Sequence, residues 1–359
     1  MYWAEKQRGN SQKKRIQIVQ SVQQRKHTSS KCRLGRRMNL CRPFSDALNV
    51  DISGKRTRTG LMTCLLIALM LFVYFQMTVA EKPFTVVVYT CLWQRPVLSD
   101  FVFGHYAGQR ERLLREHNVA LELYVVGSEG NHSASLAKKH SAGYVEHMNN
   151  PLGAKHNYGL SALKEKIPHL DAVVVVGSDD VLNDRFFIRV RKLMTDPANK
   201  IHLVGLRDLF FYDIASERLA YTRGYRVVKT DVAAAIGLGR TFSRSVLDAM
   251  NWTLWDPERN RGLDQSAVRR LMRNIIGIDE VSIALVGREE GIFAMDIKTK
   301  DAGGTNIWGF DAVIEAVGKN GRFYDFEEFD SKAELDRAFG ADFVTKIGKL
   351  KDQMMIGRS

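Results

Sequence analysis

Ala172-Val173-Val174-Val175-Val176-Gly177-Ser178-Asp179-Asp180 is the stretch on which the fold turns. Its first five residues are all apolar, and a glycine, a serine and two carboxylates come next. A run that is apolar at every position, rather than at every second one, suits a strand covered on both faces. That is the setting of a parallel sheet with helices on either side. The acidic end then marks the carboxyl edge of the strand, where open α/β sheets hold ligands.

The chain upstream repeats the pattern. Phe84-Thr85-Val86-Val87-Val88-Tyr89 reads as a buried strand and residues 97–118 as a helix. Leu121–Val126 reads as a strand ending in Gly127-Ser128, 133–141 as a helix, Tyr144–His147 as a short strand and 154–166 as a helix closed by Pro168. Strands alternating with helices at this spacing predict an α/β fold with a mostly parallel sheet and flanking helices. Downstream the reading is more mixed. Strands are expected at Ile201–Gly205, Tyr225–Val228, Val281–Val286 and Ile292–Ile297, helices at Ser243–Asn251 and Leu263–Asn274, and a terminal helical segment at 331–352.

Adjacent carboxylates at a strand end suit Mg²⁺ or Mn²⁺, hard cations that often bind through one or two carboxylates plus substrate phosphates. An Asp pair is also a good turn or helix cap, so the pair alone leaves both readings open. Some twenty residues earlier, Asn150-Pro151-Leu152-Gly153-Ala154-Lys155-His156-Asn157-Tyr158-Gly159 puts a glycine turn and Lys155 at a helix start, which suits a phosphate. Neither a Rossmann glycine signature nor a P-loop is present. Asp264, in Gly262-Leu263-Asp264-Gln265, is either a functional acid or a charge favouring a helix N-terminus. Trp252 and Trp255 are either core or a platform for stacking on a sugar.

Charge places the rest. Residues 1–60 hold 15 of the 53 Lys+Arg and 3 of the 40 Asp+Glu, leaving 38 and 37 for residues 61–359. The net +13 therefore belongs to the tail, and a nucleic-acid partner is not expected of a nearly neutral domain. Leu61–Val79, LMTCLLIALMLFVYFQMTV, carries no charge. About 20 apolar residues span a bilayer, so one transmembrane signal-anchor helix is expected at 60–80. The basic flank puts residues 1–59 in the cytosol as a mostly disordered tail, and residues 81–359 across the membrane. The triplets Asn131-His132-Ser133 and Asn251-Trp252-Thr253 are glycosylation acceptors in agreement with that orientation. Cys32, Cys41, Cys64 and Cys91 form no CxxC pair, so a structural zinc site is not expected.

Residues 84–190 resemble the nucleotide-sugar half of a GT-A glycosyltransferase of the large family-2 group. The likeness rests on the apolar strand leading to Arg95-Pro96, the strand ending at Gly127-Ser128, the Asn150…Lys155-x-Asn157-x-Gly159 segment, and Ser178-Asp179-Asp180 in the place of the DXD motif. Over 200–359 it is fainter, in Gly237-x-Gly239-Arg240-x-x-Ser243-Arg244 and the Asp264 segment on the acceptor side. The chain departs from the group in lacking the first DXD carboxylate. No histidine occurs beyond His202, so a late histidine ligand is excluded.

The resemblance implies a membrane-anchored transferase of the endoplasmic reticulum or Golgi, with its catalytic domain lumenal. It would use a nucleoside-diphosphate sugar and a glycan, glycoprotein or glycolipid acceptor. Arg95, Gly127, Ser128, Lys155, Asn157 and Asp179 would contact the donor, Asp180 and Asp179 would hold Mn²⁺ or Mg²⁺, and Asp264 would serve as base in an inverting transfer. A nucleotidyltransferase on a similar sheet and an inactive, membrane-tethered sugar-binding domain are the rival readings.

Overall fold

Strand β1 (Phe84–Cys91) shows how the sheet is made, because its side chains alternate between two hydrophobic cores. Val86 and Val88 enter one and Val87 and Tyr89 the other, and all four are fully buried. In the computed structural model, which describes residues 66–70, 81–198, 200–226, 230–274, 282–299, 309–320, 324 and 326–356, β1 lies near the middle of a seven-stranded sheet. It runs parallel to β2 (Val119–Gly127) on one side and β4 (Ala172–Val175) on the other, and β3 (Gly143–Glu146) extends the sheet beyond β2. Past β4 come β9 (Ile236–Ser243), β6 (Leu203–Leu206) and β10 (Ile283–Val286). Only β9 is antiparallel to its neighbours, so the sheet is mostly parallel, as expected.

Helices cover both faces. α1 (Pro96–His117) and α4 (Asp184–Thr195) supply Val102, Phe103, Phe186 and Phe187 to one core. α3 (Leu152–Lys166), α6 (Arg244–Ala249) and α7 (Leu263–Asn274) supply Leu160, Val246, Leu247 and Leu271 to the other. α2 (Asn131–Lys139) links β2 to β3, and α5 (Asp231–Ala234) precedes β9. α8 (Phe310–Asn320), α9 (Ser331–Phe339) and α10 (Ala341–Ile356) close the chain.

A second sheet of five strands, in the order β12-β8-β7-β11-β5, joins β5 (Asp180–Leu182), β7 (Leu209–Asp213), β8 (Arg218–Thr222), β11 (Ala294–Lys298) and β12 (Glu327–Phe329). Among these strands the sequence reading has only a counterpart of β11, expected at 292–297. The expected 225–228 strand is not formed at Tyr225-Arg226, and residues 227–229 lie outside the described residues. The terminal helical segment is two helices, broken at Gly340, whose φ of 87° lies in the region that favours glycine.

By its contacts the chain divides into residues 1–79 and 80–359. Residues 66–70 are helical, and the rest of the expected 60–80 span and the tail lie outside the described residues. Among the described residues no helix is long and apolar enough to cross a membrane.

Candidate metal and donor site

The carboxyl edge of the first sheet gains its chemistry from a switch of sheets. β4 ends at Val175, the chain turns through Gly177 and Ser178, and Asp180 opens β5 in the second sheet. β5 pairs antiparallel with β11, which sets Asp296 directly opposite Asp180. Directly opposed side chains approach closely across such a pair. One ligand oxygen each from Asp179, Asp180 and Asp296 lies within 4.8 Å of the others.

Two cations of the chain already face this cluster. Arg95 Nη1, at the start of α1, is 2.6 Å from Asp179 Oδ2. Lys298 Nζ is 2.6 Å from Asp296 Oδ2. The Asp296 Oδ1 oxygen is buried and accepts no hydrogen bond from the described residues. Asp180 accepts from the Gly177 amide, and the Tyr106 hydroxyl donates to the Asp180 carbonyl at 2.9 Å.

Crowding of negative charge in a dry place governs protonation here. Burial, then the charges of Asp179 and Asp296, push the Asp180 carboxyl well above the usual carboxylate range. Burial pushes Asp296 up to about 6, against the pull of Lys298. An all-oxygen donor set with an orphaned buried carboxylate oxygen fits a hard divalent cation. Asp179, Asp180 and Asp296 are the residues that would hold it.

The other expected donor residues divide into two groups. Arg95, Gly127 and Ser128 stand with the cluster at the carboxyl edge of β1, β2 and β4. Ser128 Oγ donates to the His147 carbonyl at 2.7 Å, and a Cβ on Gly127 would come within 2.4 Å of Ser133. Glu129 accepts from the Gln94 amide at 3.0 Å and so fixes the loop that carries Arg95.

Lys155 and Asn157, expected to contact the donor, both hydrogen-bond groups of the protein. Lys155 is fully buried, and its ammonium donates to Leu92 O at 2.8 Å and Asn149 Oδ1 at 3.0 Å. Asn157 donates to Trp255 O at 2.8 Å and accepts from the Leu254 and Trp255 amides at 3.1 Å each. Through these contacts both residues tie parts of the scaffold together. Trp252 and Trp255 are core as well, buried with Tyr89 in the second cluster.

Asp264 is exposed in the first turn of α7, its carboxylate lying over Gly237, where a Cβ would come within 2.3 Å of it. Gly237 is the second residue of β9, which runs on to Arg240 opposite Val175 of β4, so Asp264 and the aspartate cluster share one edge of the sheet. Burial, then the Asp264 charge, raise the Tyr225 hydroxyl above its ordinary value. Tyr225 lines an open cleft of about 440 Å³ with Arg207, Arg223 and Asp231. A larger cavity of 710 Å³ lies elsewhere, between α1, α4 and the α9–α10 pair, and the aspartate cluster does not line it.

Sequence reading missed Asp296 and Lys298. The only signal was the short Ala294–Lys298 strand with polar residues two apart, and nothing local links it to Asp180.

No protein-family model and no curated protein matches the chain. Among solved structures it is similar to glucosyl-3-phosphoglycerate synthase from Mycobacterium tuberculosis in complex with Mn²⁺, UDP and glucosyl-3-phosphoglycerate, at 15% identity over 68% of this chain and 86% of that one, TM-score 0.37. A putative nucleotide-diphospho-sugar transferase from Desulfovibrio desulfuricans matches at 12% identity over 76% and 98%, TM-score 0.32. A 4-diphosphocytidyl-2C-methyl-D-erythritol synthase from Anaerococcus prevotii matches at 12% over 58% and 88%, TM-score 0.33. Likeness at this level transfers no activity to the chain.

Proposed function

We propose that the protein is a metal-dependent transferase that moves a sugar from a nucleoside-diphosphate donor to an acceptor hydroxyl. The observation that carries this reading is the convergence of Asp179, Asp180 and Asp296 at the carboxyl edge of the sheet, with a buried carboxylate oxygen left unpartnered by the described residues. A divalent ion held there would stabilise negative charge on the departing diphosphate. Arg95 orients Asp179, and Glu129 holds the Arg95 loop. Asp264, exposed at the same edge beside the Arg207–Tyr225 cleft, takes the proton of the acceptor hydroxyl, in keeping with an inverting transfer. The acceptor is a glycan, glycoprotein or glycolipid.

The apolar run 61–79 anchors the domain in the endoplasmic reticulum or Golgi membrane, residues 1–59 in the cytosol and 81–359 in the lumen. The charge split across that run supports the orientation, and Asn131 and Asn251 are both exposed for glycosylation. Protease added to intact microsomes should remove the tail and spare the domain.

The test of the activity is donor hydrolysis by residues 81–359 with Mn²⁺ and a panel of nucleotide sugars. Release of a nucleoside diphosphate is expected, whereas a nucleotidyltransferase would instead make and consume pyrophosphate bonds. Asp180→Asn should abolish release together with Mn²⁺ binding, since an amide is a poor ligand for a hard cation. Asp264→Asn should keep donor affinity and lower transfer by about 10²–10⁴-fold, the usual cost of losing a general base. If Asp264 only favours its helix by its charge, the neutral Asn costs up to about 1 kcal/mol of stability and transfer survives.

A further inference from the structure

Arg240 is a buried cation that the described residues leave without an anion. It is 4% exposed, and its Nε is buried with no hydrogen-bond acceptor among them. Its contacts are two main-chain carbonyls, Ala235 O at 2.7 Å from Nη2 and Asp264 O at 3.5 Å from Nη1. Arg95, Lys298 and Lys155 differ. The first two each meet an aspartate, and burial lowers the pKa of the third. A guanidinium keeps its proton inside a protein, and a buried charge left unpaired is costly.

The position of this charge says where an anion would settle. β9 carries Arg240 to the carboxyl edge of the sheet, opposite Val175. Ala235, whose carbonyl it holds, follows Ala234, and Ala234 and Tyr225 line the open cleft of about 440 Å³. The charges of Arg240 and Asp264 both act on the Tyr225 hydroxyl, so the guanidinium lies against that wall, with Asp264 beside it.

Arg207 and Arg223 line the same cleft, with Asp231 the acid among its lining residues. Each arginine is tied to an exposed glutamate, Arg207 to Glu289 at 3.8 Å and Arg223 to Glu327 at 3.0 Å. Exposed pairs of this kind contribute little, so both guanidiniums can exchange a glutamate for an incoming oxyanion. A third guanidinium, set in a dry wall, adds a field that water screens poorly.

We propose, resting on the transferase reading above, that the acceptor is itself an anion. A phosphate or carboxylate on it seats in the Tyr225 cleft against the field of Arg240, and its hydroxyl then lies at Asp264. Arg207 and Arg223 grip the oxyanion, as planar guanidiniums suit both groups. The buried charge of Arg240 selects charged acceptors over neutral ones.

The test is the melting temperature of the full-length chain in a neutral detergent, in phosphate, acetate or chloride at equal ionic strength. Each is measured alone and with Mg²⁺ plus UDP, GDP or CDP at saturation. Phosphate, acetate or both should raise the melting temperature by about 2–5 °C over chloride, the size expected near ten times a dissociation constant. The anion with the larger rise identifies the group. The rise should persist on top of that given by Mg²⁺ and nucleotide, because the acceptor and donor seats differ. Arg240→Gln removes the charge and should lose most of the rise.

A full rise in Arg240→Gln, with a lower melting temperature in chloride, means that Arg240 only straps two carbonyls, and it overturns the proposal. Should Arg240→Gln not fold, the double variant Arg207→Gln, Arg223→Gln, altered only at exposed side chains, decides: loss of the rise supports the proposal and a full rise overturns it. A rise that Mg²⁺ and nucleotide abolish puts the anion in the donor seat and overturns an acceptor role. A response to nucleotide without one to phosphate or acetate sinks this proposal and leaves the transferase reading standing. A response to phosphate or acetate without one to any nucleotide sinks the transferase reading, and the acceptor with it.

Discussion

Asn157 shows at the scale of one residue how a side chain in a suggestive segment is used for scaffolding. Its amide makes three hydrogen bonds to the backbone of Leu254 and Trp255, all of them within the core. Asn157→Ala leaves those buried backbone groups unpaired, and an unsatisfied buried group costs about 1–3 kcal/mol. Urea unfolding should show a loss of that order or more, with nucleotide affinity of the folded protein unchanged. Full stability combined with lost nucleotide binding would restore the donor contact. Lys155 is the same lesson in a charged residue. Burial lowers its pKa, and its ammonium ties the loop after β1 to Asn149.

Helix α3 is held to the sheet by absence of side chain at Gly159. A Cβ there would stand 2.1 Å from Val126 Cγ2 and 2.4 Å from the Tyr89 hydroxyl oxygen. Alanine is favoured over glycine inside a helix by about 1 kcal/mol. The clash is far inside contact distance, and overpacking of this kind costs about 1–3 kcal/mol, so the clash wins. Gly159→Ala should lower the melting temperature and loosen the edge that carries Arg95. A rise in melting temperature would mean that α3 can move away from β1 and β2 at little cost. Element β9 plays a different part. By running antiparallel between β4 and β6, it brings Gly237 and the Asp264 carboxylate over it to the same edge as Asp180.

For the whole molecule, the aspartate cluster ties stability to pH and to metal. The Asp296 pKa is raised from 3.8 to about 6, and Asp180 is raised as well. Between those values the folded protein holds a proton that the unfolded chain has released. Stability from Asp296 is therefore full below about pH 4 and is lost as pH rises through about 6. A divalent cation reverses this at neutral pH, because it binds the ionised carboxylates. Mn²⁺ at a hundred times its dissociation constant adds about 2.7 kcal/mol, or roughly 5–10 °C in melting temperature for a domain of this size. The shift with nucleoside diphosphate present should be of that order near pH 7.5 and should shrink greatly near pH 5. An equal shift at both would show that these carboxylates are not the ligands.

The amino-acid sequence by itself determined the mostly parallel sheet, and the reason is local. β1, β2 and β4 are buried on both faces, so each is a dense apolar run that announces itself, and the helices between them carry their own period. It also put Asp179 and Asp180 at a strand end, because chain order alone places them just beyond Val176. The second sheet was not legible. β5, β7 and β8 are short, and β11, which joins β5 to β7, lies far along the chain, so no window of sequence contains the pairing that assembles them. Only the tertiary structure decided that Asp296 completes the cluster, that Lys298 neutralises it, and that Lys155 and Asn157 turn inward. Each of these depends on which strand lies beside which and on which side chains the packing shuts away from water, and both are settled by long-range burial rather than by neighbours in sequence.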